Sequence, residues 1–190
     1  MERMAMEHLG QPDRRAGALP ELVWLRKIIV ERALTRGDYI LSGGIRSDYY
    51  IDKFSLFSDP QVLRRIARMF TPLIAETNPD LIAGTELGGV VIATAVSQMS
   101  GIPLIAVRKK PKGYGAFANE YVEGPYGPGQ SVLLLEDVVT NGRELMAAAA
   151  RLEELGLRVT PCAVVSRGLA PVRALIHFSL PRPEKPRMEN

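Results

Sequence analysis

The chain has 190 residues, 46% of them hydrophobic, with a formal charge of +3. That length and composition suit one globular domain with a sizeable core. They exclude fibrous and membrane-spanning classes, because no apolar run reaches the ~20 residues of a spanning helix.

Met1 to Ala18 scatters Arg, Glu and Asp through a stretch without the apolar core of a signal peptide. Residues 1–18 are therefore expected to be a tail, and the protein cytoplasmic. Leu19 to Arg36 has helical periodicity, with Leu22, Leu25, Ile29 and Ala33 on one stripe, and Gly37 is expected to stop it. From Asp38 to Lys53, the runs Tyr39-Ile40-Leu41 and Tyr49-Tyr50-Ile51 flank a Gly43-Gly44 turn and read as a β-hairpin. Asp59-Pro60 starts a helix expected to run to about Thr77, with Val62, Ile66, Met69, Phe70 and Leu73 as its core stripe. Asp80 to Ala83 reads as a short buried strand, Gly84 to Gly89 as a glycine-rich turn into a helix from Val90 to Ser100, and Leu104 to Val107 as the next strand.

Between Arg108 and Gly129 the pattern breaks into RKKPKGYGAFANEYVEGPYGPG, with five glycines, three prolines and no sustained period. A stretch this long with cations at its start and glycine hinges at its centre suits a mobile lid that closes on an anionic leaving group. It also suits a solvated basic loop or an exposed hairpin. Elsewhere the basic residues are dispersed, which favours an anionic small molecule over a nucleic-acid footprint.

The segment VLLLEDVVTNGREL, from Val132 to Leu145, is the most informative. Val132 to Leu135 read as a strand buried on both faces, ending in the adjacent carboxylates Glu136 and Asp137. In an open parallel sheet, ligands collect beyond such strand ends. Thr140, Asn141 and Gly142 then open a helix, whose first backbone N–H groups lack intrahelical partners and attract a phosphate. Carboxylates beside a phosphate nest suit a phosphorylated sugar. The same residues would serve equally as an acidic turn and a helix N-cap on Thr140 or Asn141. The helix runs from Leu145 to Leu155 with Gly156 closing it, a strand follows from Val159 to Val165, and a short strand spans Ala174 to Phe178. Residues 181–190 carry three prolines among charges and read as a second tail. The alternation of elements predicts an α/β fold with a parallel sheet covered by helices. Cys162, the single cysteine, excludes a disulfide framework and reads as a small buried hydrophobe, and His8 and His177 read as structural or solvated.

Five blocks, in order, carry a resemblance to a known family: SGGIRSDYYIDKFSLFSDP, IAGTELGGVVIAT, VRKKPKGYG, EDVVTNG and VVSRG. Over roughly residues 20 to 170 the chain resembles the type I phosphoribosyltransferases, and among them the orotate phosphoribosyltransferases. EDVVT alone is shared across the wider group; the first block together with VRKKPKGYG points to orotate. The resemblance implies a central, mostly parallel sheet flanked by helices, within a phosphoribosyltransferase domain at residues 19–180. It adds a small N-terminal hood at about residues 38–53 and a flexible catalytic loop at about residues 109–124.

The resemblance also implies a reaction: transfer of the 5-phosphoribosyl group from 5-phosphoribosyl diphosphate (PRPP) to orotate. The products are orotidine 5′-monophosphate and diphosphate, a step of de novo UMP biosynthesis. Such a transferase needs Mg2+, chelated by the diphosphate and ribose hydroxyls of PRPP and not directly by protein side chains. Lys112, Asp137 and Glu136 are the implied catalytic residues. Glu136 and Asp137 would hold the ribose hydroxyls and the developing positive charge. Thr140, Asn141 and Gly142 would take the 5′-phosphate, with Val138, Val139, Arg143 and Glu144 completing the PRPP segment. Arg108, Lys109, Lys112 and Tyr114 would meet the diphosphate. Arg167, a planar bidentate donor, would hold the orotate carboxylate, with Thr140, Tyr50 and Ile51 bordering the base. The loop is expected to reach into a neighbouring subunit, which implies a homodimer.

Arg143 and Glu144 stand where family members usually carry small or hydroxyl residues, and Tyr114 stands where many have His. Two alternatives stay open: a paralogue acting on another nucleobase, and a non-catalytic PRPP-sensing regulator. The second is expected to need a DNA-binding module, for which the residues before the first helix are too few. No nucleic-acid or membrane partner is expected.

Overall fold

The structure, a computed structural model, describes residues 20–41, 44–114, 120–168 and 171–178. The two expected tails, Gly43 of the expected turn and residues 115–119 of the expected catalytic loop lie outside the described residues.

Helix α1 (Pro20–Ile28) passes into a π-helical turn at Ile29–Ala33. Leu25, Ile29 and Ala33 of the expected stripe are buried. The helix does not continue to Arg36. Leu34 is already extended, and strand β1 (Leu34–Ile40) pairs antiparallel with β2 (Arg46–Ile51), Leu34 opposite Ile51 and Thr35 opposite Tyr50. Facing β-branched and aromatic side chains favour this pleated ladder over a further helical turn. Gly37, expected as the helix stop, instead sits in β1 where the register shifts between Arg36 and Tyr39.

Three short helices follow, α2 (Phe54–Phe57), α3 (Pro60–Arg68) and α4 (Thr71–Thr77). Asp59 caps α3, its carboxylate accepting from the N–H groups of Gln61 at 3.0 Å and Val62 at 3.3 Å. The single helix expected from Asp59 to Thr77 is thus two. Pro72 has no N–H, and its ring would meet the carbonyl of the residue four back, so the chain restarts as α4.

The main sheet has six strands: β3 (Leu81–Thr85), β4 (Leu104–Val107), β5 (Val122–Glu123), β6 (Ser131–Val139), β7 (Arg158–Ser166) and β8 (Arg173–His177). They lie in the order β5-β4-β3-β6-β7-β8, parallel throughout except for β5 against β4. Helix α5 (Gly88–Ser100) joins β3 to β4, and α6 (Arg143–Glu154) joins β6 to β7.

Alternate residues of the central strands supply two cores. Ile82, Leu133, Leu135 and Val164 pack with Leu25, Ile66 and Ile92, whereas Leu81, Ala83, Val132 and Leu134 pack with Leu145, Ala148 and Leu152 of α6. Both faces are therefore covered, which is why β3 and β6 read as unbroken apolar runs. Two boundaries differ from the sequence reading. Strand β6 does not stop at Leu135, because Glu136, Val138 and Val139 still pair with Ala163, Val165 and Ser166 of β7. The residue capping α6 is Gly142, at φ 77°, while Asn141 folds back to accept from the Arg143 N–H at 3.1 Å.

Candidate active site

Parallel strands place their carboxyl ends on one edge, and on that edge the sequence motifs converge. Strand β3 delivers Thr85 and the turn into α5, β4 delivers Arg108 and Lys109, β6 delivers Glu136 to Gly142, and β7 delivers Arg167. A cleft of about 180 Å³ opens there, lined by Glu136 to Gly142, Glu144 and Leu145 with Lys53, Glu86, Leu87 and Lys109.

The two carboxylates differ in surroundings despite being neighbours. Glu136 accepts from the Thr85 hydroxyl and, at 3.1 Å, from the Asp137 N–H. Burial, and then the charge of Asp137, push its carboxyl up to about 8. Asp137 is 5% exposed and pairs with Lys53, Oδ2 to Nζ at 3.0 Å. On the other side of that oxygen lies Gly88, where a Cβ would stand 1.7 Å from Oδ2. The glycine is thus required by close approach, as it is at Gly89, where a Cβ would stand 2.6 Å from the Leu135 carbonyl. Burial alone would lower the pKa of Lys53, but the charge and hydrogen bond of Asp137, with smaller contributions from Tyr50 and Glu136, raise it overall. The ammonium is therefore charged at neutral pH.

The loop cations are held by carboxylates. The Lys109 backbone N–H donates to Glu86 Oε1 at 2.7 Å, and its ammonium pairs with Glu144, a hydrogen bond that raises the Lys109 pKa. Lys112 pairs with Glu123 of β5 at 3.1 Å, and Arg108 approaches the same carboxylate at 3.8 Å. Lys112 and Tyr114 do not line the cleft, and Tyr114 is exposed. Arg143 and Arg108 face an adjoining hollow of about 280 Å³, shared with Lys109, Glu144 and Arg151.

Arg167 lies beneath the hairpin. Its guanidinium stacks 3.8 Å from the Tyr49 ring centroid and donates to the Ser47 hydroxyl and, at 3.4 Å, to the Tyr49 carbonyl. Thr140 lines the cleft, Tyr50 sits on the outer side of β2 with its ring 5.6 Å from that of Tyr39, and Ile51 is buried in the main core. The structure thus brings Glu136, Asp137, Thr140, Asn141, Gly142, Glu144 and Lys109 into one cleft with Val138 and Val139. Arg167 stands at the β1–β2 hairpin, and Ile51 points away.

Sequence reasoning missed Lys53 and the partners Ser47 and Tyr49, and it took in Thr85 and Glu86 only as members of the IAGTELGGVVIAT block, which resembles a pyrophosphate-binding loop, without singling them out. Thr85 and Glu86 lay within the glycine-rich turn, and a carboxylate there was an available signal. Lys53 ends the aromatic block of the hood, but nothing in its spacing shows that it reaches strand β6.

Comparisons with known proteins identify the family. The family described as phosphoribosyl transferase domain matches residues 55–175. An orotate phosphoribosyltransferase of Thermococcus gammatolerans is 43% identical over 141 residues, covering 73% of this chain and 74% of the relative. One from Pyrococcus furiosus is 41% identical over 143 residues, covering 74% and 78%. Among solved structures, the orotate phosphoribosyltransferase of Aeropyrum pernix superposes with a TM-score of 0.65 at 28% identity, covering 77% of this chain and 83% of that one.

Proposed function

The chain belongs to the orotate phosphoribosyltransferase family, and on that premise we infer that it transfers the 5-phosphoribosyl group of PRPP to orotate in pyrimidine biosynthesis. The observation that carries this reading is the cleft itself: two adjacent carboxylates between a helix N-terminus with its phosphate nest and a second helix N-terminus. In the reaction the bond from the anomeric carbon to the diphosphate oxygen breaks, its electron pair leaving with diphosphate. A pyrimidine nitrogen bonds to that carbon and gives up its proton, which leaves with the diphosphate. The step needs positioning and charge stabilisation more than a strong base.

Thr140 to Gly142 hold the 5′-phosphate through backbone N–H groups. Glu136 and Asp137 hold the ribose hydroxyls, and the Asp137 carboxylate, paired with Lys53, faces the positive charge that develops on the ring. Lys109 and Arg108 receive the diphosphate, and the Arg167 fork turns from Ser47 to the orotate carboxylate. The carboxylates of Glu86, Glu136, Asp137 and Glu144 share the cleft with the ammonium groups of Lys53 and Lys109, a lining that suits a hard cation held by the ligand's own oxygens, and Mg2+ carried in by PRPP would supply charge to the leaving group there.

We place the protein in the cytoplasm as a homodimer that shares its loops. What supports sharing is that Lys112 pairs with Glu123 and does not line the cleft of its own chain. The test is loss of orotate absorbance with PRPP and magnesium, beside uracil, adenine and hypoxanthine. Turnover of orotate alone is expected; turnover of another base, or of none, overturns the reading.

A further inference from the structure

Lys53 enters the cleft from the hood, and its mounting is rigid. Asp52 accepts from the Phe54 N–H at 3.0 Å and the Ser55 hydroxyl at 2.6 Å, while the Lys53 carbonyl accepts from Leu56 at 3.0 Å and Phe57 at 2.9 Å. This turn fixes the Cα of Lys53 and aims its side chain at β6. The Lys53 side chain is 30% exposed while its ammonium contacts Asp137, whose side chain is 7% exposed. A lysine ammonium has three donors. Asp137 takes one, and Lys53 lines the cleft together with Lys109, whose own pKa the Lys53 charge depresses slightly.

Position decides which part of the ligand this cation meets. The 5′-phosphate nest at Thr140 to Gly142 opens α6, whereas Lys53 stands by the N-terminus of α5, since its partner oxygen abuts Gly88. An anion lying between Lys53, Lys109 and the first N–H groups of α5 is distinct from the one in the nest. We propose that Lys53 is a further substrate-binding residue, which fixes the Asp137 carboxylate with one N–H and binds the diphosphate of a sugar 1-diphosphate with the others. This rests on the PRPP reading of the cleft. It gives the hood a role in gripping the leaving group as well as in covering the base.

The test is calorimetric titration of the full chain and its Lys53→Met, Lys53→Gln and Lys53→Arg variants with inorganic diphosphate and magnesium, and separately with ribose 5-phosphate. Lys53→Gln keeps a donor for Asp137 without the charge and guards against misfolding of Lys53→Met. Diphosphate is expected to bind about tenfold more weakly to the Met and Gln variants, the scale of one charge-assisted hydrogen bond, and Lys53→Arg to retain most of the affinity. Ribose 5-phosphate, held by the nest and by an Asp137 that still has a donor, is expected to bind the unaltered chain, Lys53→Gln and Lys53→Arg alike. Unchanged diphosphate affinity in Lys53→Gln overturns the proposal. So does an equal loss for both ligands, which is what a purely structural ion pair would give, and so does a lack of diphosphate binding by the unaltered chain. If no base is turned over, the functional reading fails, and the diphosphate titration still decides the role of Lys53.

Discussion

The ammonium of Lys109 lies against the carboxylate of Glu144, an ion pair that ties the segment after β4 to the first turn of α6. An acidic side chain in the first turn of a helix is favourable to that helix. It is unfavourable to a phosphate dianion seeking the same N–H groups, and Glu144 lines the cleft where that phosphate would sit. An incoming PRPP must therefore displace Lys109 from Glu144.

Glu144→Gln should strengthen PRPP binding by about three- to tenfold, since like-charge repulsion is removed and Lys109 is released. Fluorescence or calorimetric titration with PRPP and magnesium checks this. Weaker binding in the variant would mean that Glu144 orders the nest instead of guarding it.

Gly88→Ala puts a methyl group into the space of the Asp137 carboxylate, 1.7 Å from Oδ2. Either Asp137 rotates away from Lys53 or α5 shifts, and both misplace the carboxylate proposed to hold the ribose. Turnover should fall by about a hundredfold, the scale of an ångström-sized displacement in an active site. Steady-state kinetics beside a melting curve separates this from unfolding.

Arg167→Lys keeps the charge but loses the planar fork and the stack on Tyr49. The orotate KM should rise about tenfold or more while the PRPP KM stays within about twofold, reflecting loss of a bidentate carboxylate contact. Parallel KM measurements for the two substrates decide the point. A rise confined to PRPP would remove Arg167 from the base site.

Glu136 predicts a pH dependence of stability. Its pKa in the folded protein is raised above its ordinary value of 4.5 to about 8, so between those values the folded form holds a proton that the unfolded chain has lost. The stability linked to that proton is fully present below the ordinary carboxylate range and is lost as pH rises toward 8. Glu136→Gln should therefore flatten the fall in Tm across pH 5 to 8, a window set by the same pKa shift. Melting curves of both proteins across that window provide the comparison. Identical slopes would show that Glu136 is ionised in the folded state.

Loop sharing predicts complementation. Lys112→Ala and Asp137→Asn chains should each be nearly inactive alone. Mixed and reassembled, they should recover about a quarter of the unaltered rate, because a dimer with heterologous loops restores one site in half of its pairs. Absence of recovery would confine each loop to its own chain.

The class of fold and most of the cleft were legible in the order of the amino acids. Unbroken apolar runs such as Val132 to Leu135 mark strands buried on both faces, and parallel order sends their carboxyl ends to one edge, so Glu136 to Gly142 were legible as a site. Helix boundaries were less so. Periodicity carried the first helix to Arg36 because it registers apolar spacing and cannot register that Tyr49 to Ile51 would claim Leu34 to Arg36 as ladder partners. The long helix over Asp59 to Thr77 split for a reason visible in the chain, Pro72, whose effect the continuous apolar stripe concealed. The pairs that join distant segments emerged only once the chain was folded: Lys53 with Asp137, Thr85 with Glu136, Arg167 with Ser47 and Tyr49, and Lys109 with Glu144. Periodicity is local and repeats within one element, whereas an ion pair across 84 residues depends on how the hood packs over the sheet, a product of the whole core.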